Sequence, residues 1–429
     1  MTRPRAYRSY KSSGTQWLGD LPSHWAVEQL RYGYELVRRP PRIEDGNVTA
    51  YRDGEVTLRS NRRIDGYTEA DKEIGYQGVR KGDLVIHAMD AFAGAVGVSD
   101  SDGKSTPVYS VCQPLSGHEP RYAARVLRHI ALSGYITSLG KGVRERSTEF
   151  RWSDAKNVLL PAPPLDEQRQ IAEYLDRETG KIDELITKQE QLVATLTERR
   201  QAVIAQAVTR GLDPTIKLRE IGVYWLRQIP THWTVRKFSQ AASINGGQVD
   251  PRDEPYASMT LIAPNHIEKV TGRLLDTATA GDQGADSGKY LAREGQVIYS
   301  KIRPGLRKAV LAPFDCLCSA DMYAISGDKN LLRNPFLQLL LLSEPFSKFV
   351  VDVSARVAMP KVNRESLAGA VLWFPSLEEQ DAIIDHISSS VAKIDLIVAK
   401  AKQMIGTLRE RRAALISAAV TGKIDVRGL

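Results

Sequence analysis

The sequence has little with which to do covalent chemistry. Its three cysteines, Cys112, Cys316 and Cys318, are too few for a disulfide framework. Cys316 and Cys318 have no second Cys or His pair at metal-ligand spacing, so no metal site is expected. Neither a Gly-x-Gly-x-x-Gly turn nor a Gly-x-x-x-x-Gly-Lys-Ser/Thr loop is present to cradle phosphates, and His-Glu-x-x-His is missing. The seven histidines are dispersed. An Asn/Asp-Pro-Pro-aromatic tetrapeptide, as adenine methyltransferases carry, is also missing. The nearest string, Asn334-Pro335-Phe336, lacks the second proline and predicts a helix start before a Leu-rich run. No catalytic residue is therefore nominated, and no cofactor is expected in this chain.

Long apolar runs are lacking too. Phe336–Leu342 is far short of the ~20 residues a membrane span needs. No apolar segment follows the basic stretch Met1–Lys11, so neither a membrane anchor nor a secretory signal is expected. A reduced cytoplasm is the expected compartment. Lys and Arg number 59 against 51 Asp and Glu, a net charge of +8, which permits a polyanionic partner without requiring one.

What is present is repetition. Trp17-Leu18-Gly19-Asp20-Leu21-Pro22-Ser23-His24-Trp25 returns 208 positions later as Trp225-Leu226-Arg227-Gln228-Ile229-Pro230-Thr231-His232-Trp233. Leu165-Asp166-Glu167-Gln168 returns 212 positions later as Leu377-Glu378-Glu379-Gln380. A period of about 210 residues is far too long for a solenoid and implies a duplicated domain pair with pseudo-two-fold symmetry. His24 and His232, inside the repeated Pro-x-His-Trp turn, are expected to pack on tryptophan rather than to catalyse.

Each copy has two parts. Residues 1–14 read as an N-terminal tail and 15–165 as a first β-rich domain of mixed α+β class, with dense Asp-Gly and Asn-Gly turn signals. Residues 166–210 are helical: Asp166–Arg177 as a short helix and Thr179–Thr209, which holds the segment's single glycine, Gly180, as a long one. Residues 211–376 and 377–422 repeat the pattern, and 423–429 read as a C-terminal tail. Along the first helical segment Leu185, Leu192, Leu196 and Val203 step by 7, 4 and 7, and in the second Ile397, Met404, Leu408 and Leu415 step identically. That spacing predicts a coiled-coil seam, antiparallel because a pseudo-two-fold must exchange the helices. Ser376 and Glu379 predict a capping box, and Gly422 a helix end.

Both β-rich domains carry basic clusters. In the first they are Arg59, Arg62 and Arg63 with Asn61, then Lys141, Arg144 and Arg146. In the second they are Lys301, Arg303, Arg307 and Lys308, then Arg356, Lys361 and Arg364. Arginine forks suit phosphates and the O6/N7 edge of guanine, and Asn61 suits adenine. A solvated charged face is the bland alternative for any one of them. Recurrence in both copies favours double-stranded DNA as the partner.

These stretches resemble the specificity (S) subunit of type I restriction–modification systems. Lys11–Trp25 looks like the lead into a target recognition domain. Tyr299-Ser300-Lys301-Ile302-Arg303-Pro304 and Ser319-Ala320-Asp321-Met322-Tyr323 resemble the core of such a domain, and the Pro-x-Leu-x-Glu-Gln stretches resemble the starts of spacer helices. The first domain departs from the second, with Ala88-Met89-Asp90-Ala91 in place of residues 301–304, and is expected to read a different sequence. The resemblance implies a non-catalytic subunit. Each recognition domain would read one half of a bipartite asymmetric site. The helices would set the spacer and dock two methyltransferase (M) subunits, which carry S-adenosylmethionine. Restriction (R) subunits, where present, would carry ATP and Mg2+. An orphan or inactive specificity subunit, a protein-binding coiled-coil scaffold and a self-contained DNA-modifying enzyme are the rival readings.

Overall fold

The computed structural model describes residues 5–15, 17–62, 73–136, 149–354 and 360–429. The chain divides into two units, Met1–Gln189 with Gln403–Leu429, and Glu190–Lys402. Each unit is an α+β domain bearing the parts of two long helices that pack against it.

The first unit is built on a four-stranded sheet of β1 (Tyr34–Leu36), β2 (Leu84–His87), β3 (Val96–Val98) and β4 (Tyr109–Pro114) in the order β1-β4-β2-β3. Helix α1 (Pro120–Leu132) covers it, burying Val126, Leu127 and Ile130 against Leu84, Ile86 and Val96. A hairpin of Val48–Ala50 and Val56–Leu58 stands beside the sheet. The first long helix, α2, runs unbroken from Leu165 to Arg210. The expected break between Arg177 and Thr179 is absent. Gly180 is exposed, and Thr179 returns its hydroxyl to the Leu175 carbonyl at 2.6 Å. A helical glycine costs about 1 kcal/mol, and buried Leu175 and Ile182 on either side outweigh that.

The second unit repeats the plan. Strands β5 (Ala242–Ile244), β6 (Val297–Ser300), β7 (Ala309–Leu311) and β8 (Met322–Gly327) lie in the order β5-β8-β6-β7, the same topology as in the first unit. Helix α3 (Asn334–Leu342) takes the place of α1, starting at the Asn-Pro pair as the sequence predicts. Helix α4 runs from Leu377 to Val420 and ends before Gly422, whose φ is +67°.

The repeated motifs lock these parts together. In the first unit buried Glu167 accepts hydrogen bonds from Tyr7 Oη at 2.6 Å and Trp25 Nε1 at 3.0 Å, and His24 Nε2 lies 2.8 Å from its other oxygen. In the second, Glu379 takes Trp233 Nε1 at 3.1 Å and His232 Nε2 at 2.8 Å. The adjoining glutamines clamp the domain helices: Gln168 accepts from the Glu119 amide at 3.0 Å, and Gln380 from the Arg333 amide at 2.8 Å. The capping box is only half formed. Ser376 accepts the Glu379 amide at 3.3 Å, but the Glu379 side chain goes to His232 and Trp233 instead of turning back.

The described residues of the two expected tails take part in the fold. Tyr10–Ser12 pairs with Asp20–Pro22, Arg5 bridges Asp425, and Tyr7 is buried. Val426 is buried as well, and the Arg427 guanidinium sits 5.1 Å from the centre of the Tyr7 ring. Closing the first unit thus uses both chain ends.

The helices run antiparallel within each unit, and a charged pair crosses between them in each. In the first, Arg412 Nε lies 2.8 Å from Asp183. In the second, buried Arg200 lies 3.3 Å from Asp395 and donates to the Thr271 carbonyl at 3.2 Å. The seam follows Ile182, Ile186, Val193, Leu196, Arg200 and Val203 on α2, and Ile387, Val391, Ile394, Ala401, Ile405, Leu408 and Leu415 on α4. Of the expected seam residues, Leu196, Val203, Leu408 and Leu415 lie on it. Leu185, Leu192, Ile397 and Met404 do not: they are exposed. The 7-4-7 spacing mixes two heptad positions, and only the second pair in each helix occupies the buried one. Among the described residues no helix is long and apolar enough to cross a membrane.

Candidate nucleic-acid interface

In both units the turn after the second sheet strand is the chemically distinctive feature. In the second unit β6 ends at Ser300, and the chain enters Lys301–Lys308. This loop is stitched to residues 360–362: the Arg303 amide donates to the Pro360 carbonyl at 2.9 Å and the Val362 amide to the Lys301 carbonyl at 2.8 Å. Lys301, Arg303 and Lys361 are thereby brought to one surface. Arg303 and Arg307 hold left-handed backbone at φ +45° and +49°, flanking the short turn Pro304–Leu306. Non-glycine residues in that region are strained and cluster at functional loops.

The basic side chains here divide by what they touch. Arg303, Arg307 and Lys361 make no side-chain hydrogen bond or ion pair with a described residue. Lys301 places its ammonium 5.4 Å from the centre of the Tyr323 ring. Arg364 lies against Tyr323 and Tyr290, 5.3 and 5.8 Å from the ring centres, and gives its fork to the carbonyls of Ile244 at 3.3 Å and Asn245 at 2.5 Å. Lys308 donates to the Pro264 carbonyl at 2.5 Å, and burial holds its ammonium below the usual lysine range. Arg364 and Lys308 therefore buttress the loop, while Arg303, Arg307 and Lys361 are left for a partner. Arg356 lies outside the described residues.

The first unit treats its cations differently. Arg62 is held by Asp53 at 2.7 Å and Glu55 at 2.9 Å, over the Tyr51 ring at 4.1 Å. Arg59 Nε reaches Thr49 Oγ1 at 3.4 Å, and Asn61 donates to Thr57 Oγ1 at 2.8 Å. These three side chains are engaged in holding the hairpin. Arg63, Lys141, Arg144 and Arg146 lie outside the described residues. The turn after β2 carries Asp90 where the second unit has Arg303: each is the third residue past its strand, and each precedes a 3-10 turn. Asp90 pairs with Arg52 at 2.9 Å. Tyr51, Arg52, Asp53, Arg62, His87 and Asp90 line a cleft of about 400 Å3. From behind, Arg128 donates to the carbonyls of Asp53 and, at 3.2 Å, Arg52. Its guanidinium fills the space a side chain at Gly54 would need, so only glycine fits that turn. Burial, and then Arg125 and Arg412, push Arg128 down to about 10.

A larger groove of about 1030 Å3 adjoins the same unit, with Arg38, Tyr76, Trp152 and Lys156 on its walls. Sequence reasoning missed Arg38 and Lys156. Neither makes a side-chain hydrogen bond or ion pair with a described residue, whereas neighbouring Arg39 is neutralised by Asp83 at 2.6 Å. The Arg38-Arg39-Pro40-Pro41 string was the available signal. Among the described residues no group of three or more His, Cys, Asp and Glu side chains is arranged to hold a metal.

Comparison with known proteins adds the following. Residues 230–405 match the type I restriction modification DNA specificity domain. The chain is 29% identical over 307 residues to the type I restriction enzyme EcoDI specificity subunit of Escherichia coli, covering 68% of each chain. It is 23% identical over 440 residues to the putative type I restriction enzyme MjaX specificity subunit of Methanocaldococcus jannaschii, covering 96% of each. A structure solved to show complex assembly and conformational transition of the type I R-M system shares the fold, with a TM-score of 0.69 at 15% identity, over 93% of this chain and 98% of that one.

Proposed function

The chain belongs to the specificity-subunit family of type I restriction–modification systems and is a DNA-recognition subunit, and from that premise we propose how it divides the work. Each α+β unit reads one half of a bipartite, asymmetric duplex site. The observation that carries this is one scaffold, present twice, with chemically opposite turns at the same place: Asp90 after β2 and Arg303 after β6. Identical halves would read a palindrome, and halves that differ at their reading turns read different sequences. Phosphate contacts from Arg38, Lys156, Arg307 and Lys361 position the duplex, and a few base contacts specify it.

The long helices act as the spacer between half-sites and as the docking surface for two methyltransferase subunits. The exposed Leu185 and Met404 in the first unit, and Leu192, Leu396 and Ile397 in the second, lie off the helix seam and are the apolar contacts offered to those partners. Catalysis belongs to the partners. The methyltransferase subunits bring S-adenosylmethionine and extrude the adenine, and restriction subunits, where present, bring ATP and Mg2+. The complex works in the cytoplasm.

Methylome sequencing of a host expressing the cognate methyltransferase subunit, with and without this chain, tests the proposal. An asymmetric bipartite N6-methyladenine motif that appears only with this chain is expected. A palindromic motif, or no motif that depends on the chain, would overturn it.

A further inference from the structure

We infer that Asp90 is the base-reading residue of the first unit and that it accepts a hydrogen bond from the N4 amino group of a cytosine. The inference rests on the DNA-recognition reading above and names what one position recognises.

Asp90 is built into its turn as a fixed acceptor. Its amide donates to His87 Nδ1 at 3.1 Å, and its carbonyl receives the amides of Ala93 at 3.0 Å and Ala95 at 3.2 Å. The backbone on both sides of the side chain is thus determined. One carboxylate oxygen, Oδ1, is held by Arg52 at 2.9 Å, and no described group takes Oδ2. The free oxygen belongs to a residue that lines the same cleft as Tyr51 and His87. The His87 ring is itself set by Tyr109, edge to face at 4.6 Å.

The second unit supplies the internal control. At the equivalent position Arg303 offers only donors, which match the O6 and N7 acceptors of guanine. Asp90 offers only acceptors. Of the major-groove edges, cytosine presents a lone amino donor. Adenine presents its amino group beside N7, an acceptor that would repel the carboxylate. The two turns therefore select bases of opposite polarity from the same place in the fold.

The test uses the complex of the full chain with its methyltransferase subunit, and duplex libraries randomised at one position of each half-site in turn. The wild-type complex is expected to prefer cytosine at one position of the first half-site by roughly tenfold to a hundredfold. Asp90→Asn, nearly isosteric, adds a donor for N7 and is expected to move that preference to adenine while leaving the second half-site unchanged. Arg303→Ala is expected to do the reverse, relaxing only the second half-site. Cytosine preference that survives Asp90→Asn, or equal weakening at every position of both half-sites, would overturn the assignment and make Asp90 a packing partner of Arg52. A wild-type complex with no half-site preference at all would remove the recognition reading itself, and Asp90's role with it.

Discussion

The two units share a frame and differ in how they hold charge at its working end. Around the hairpin and the turn after β2, the first unit pairs its arginines with its own carboxylates: Arg62 with Asp53 and Glu55, Arg52 with Asp90, Arg39 with Asp83. In the second unit, Arg303, Arg307 and Lys361 meet no such partner among the described residues, and the two arginines sit on a strained loop. An arginine already neutralised gains little from a phosphate, because the new contact replaces an old one. An unpaired arginine gains the whole interaction and releases a counterion. At these turns, the loop around Arg303 should therefore add more salt-dependent affinity than the hairpin around Arg62, which should contribute more through shape and hydrogen-bond matching.

The frame itself can be broken unequally in the two copies. Leu196 and Leu408 are equivalent seam residues, but Leu408 is 8% exposed and Leu196 only half-buried. Leu408→Asp is expected to cost about 3 kcal/mol or more by burying an unpaired charge, and Leu196→Asp distinctly less. Met404→Asp, on the exposed flank, should leave the urea midpoint nearly unchanged and weaken association with the methyltransferase subunit. Equal losses at Leu408 and Met404 would mean that the seam is placed wrongly.

The clasp offers the next largest contrast. Glu167 serves three partners, Tyr7, His24 and Trp25, in a fully enclosed setting, whereas Glu379 serves two and is half-buried. At about 1 kcal/mol for each stranded buried donor, Glu167→Ala should destabilise its unit by about 2 kcal/mol through Tyr7 and Trp25, and Glu379→Ala by about 1 through Trp233, because exposed His24 and His232 turn to water. Urea unfolding followed by tryptophan fluorescence reports on both, since Trp25 and Trp233 lie against the altered sites. A larger loss at Glu379 would show that closure of the first unit by the chain termini adds nothing.

At the working end, Arg303→Ala should lower affinity for the cognate duplex by roughly tenfold to a hundredfold, and Lys361→Ala, at a phosphate contact, should flatten the salt dependence by about one counterion. Arg62→Ala should change affinity only a few-fold, with the salt slope intact, because Asp53 and Glu55 already balance the charge. Binding titrations at several ionic strengths separate the two outcomes. A steeper loss at Arg62 would erase the contrast between the units.

How much of this could be read in the sequence follows from where the information lay. The duplication and the helix that starts at the Asn334-Pro335 pair rest on signals within short stretches, and these are legible. The Trp-Glu clasp was not. Its halves lie 142 residues apart in the first copy, and nothing local joins Trp25 to Glu167. The helix seam was half legible, because two heptad positions both carry leucine and only packing decides which faces inward. The candidate site was legible as composition but not as function. Arg62 and Arg303 look alike in sequence, and only the positions of Asp53 and Glu55 in the fold distinguish a satisfied cation from an available one. Arg38 and Lys156 lie far apart in the sequence, and only the fold brings them together on one groove.

The finest contrast is titratable. His87 in the first unit occupies the place of Ser300 in the second, at the end of the equivalent strand. Burial holds its pKa below the ordinary 6.5; Asp90 pulls it up and Arg52 pushes it further down. The unfolded chain therefore binds a proton more readily than the folded one. The stability that His87 contributes is complete above pH 6.5 and is lost as pH falls through the lower, folded value. The geometry gives the same sign, because protonating Nδ1 removes the acceptor that holds the Asp90 amide. Below pH 6.5 the first unit should loosen its reading turn while the second keeps its own. Base discrimination in the complex, measured separately for each half-site from pH 7.5 down to about 5.5, should decline at the first half-site before the second. His87→Ser, which copies the second unit, should abolish that difference in pH response. A first half-site that still declines ahead of the second in His87→Ser would place the sensitivity elsewhere, with Asp90 and Arg52 the remaining charged groups beside it.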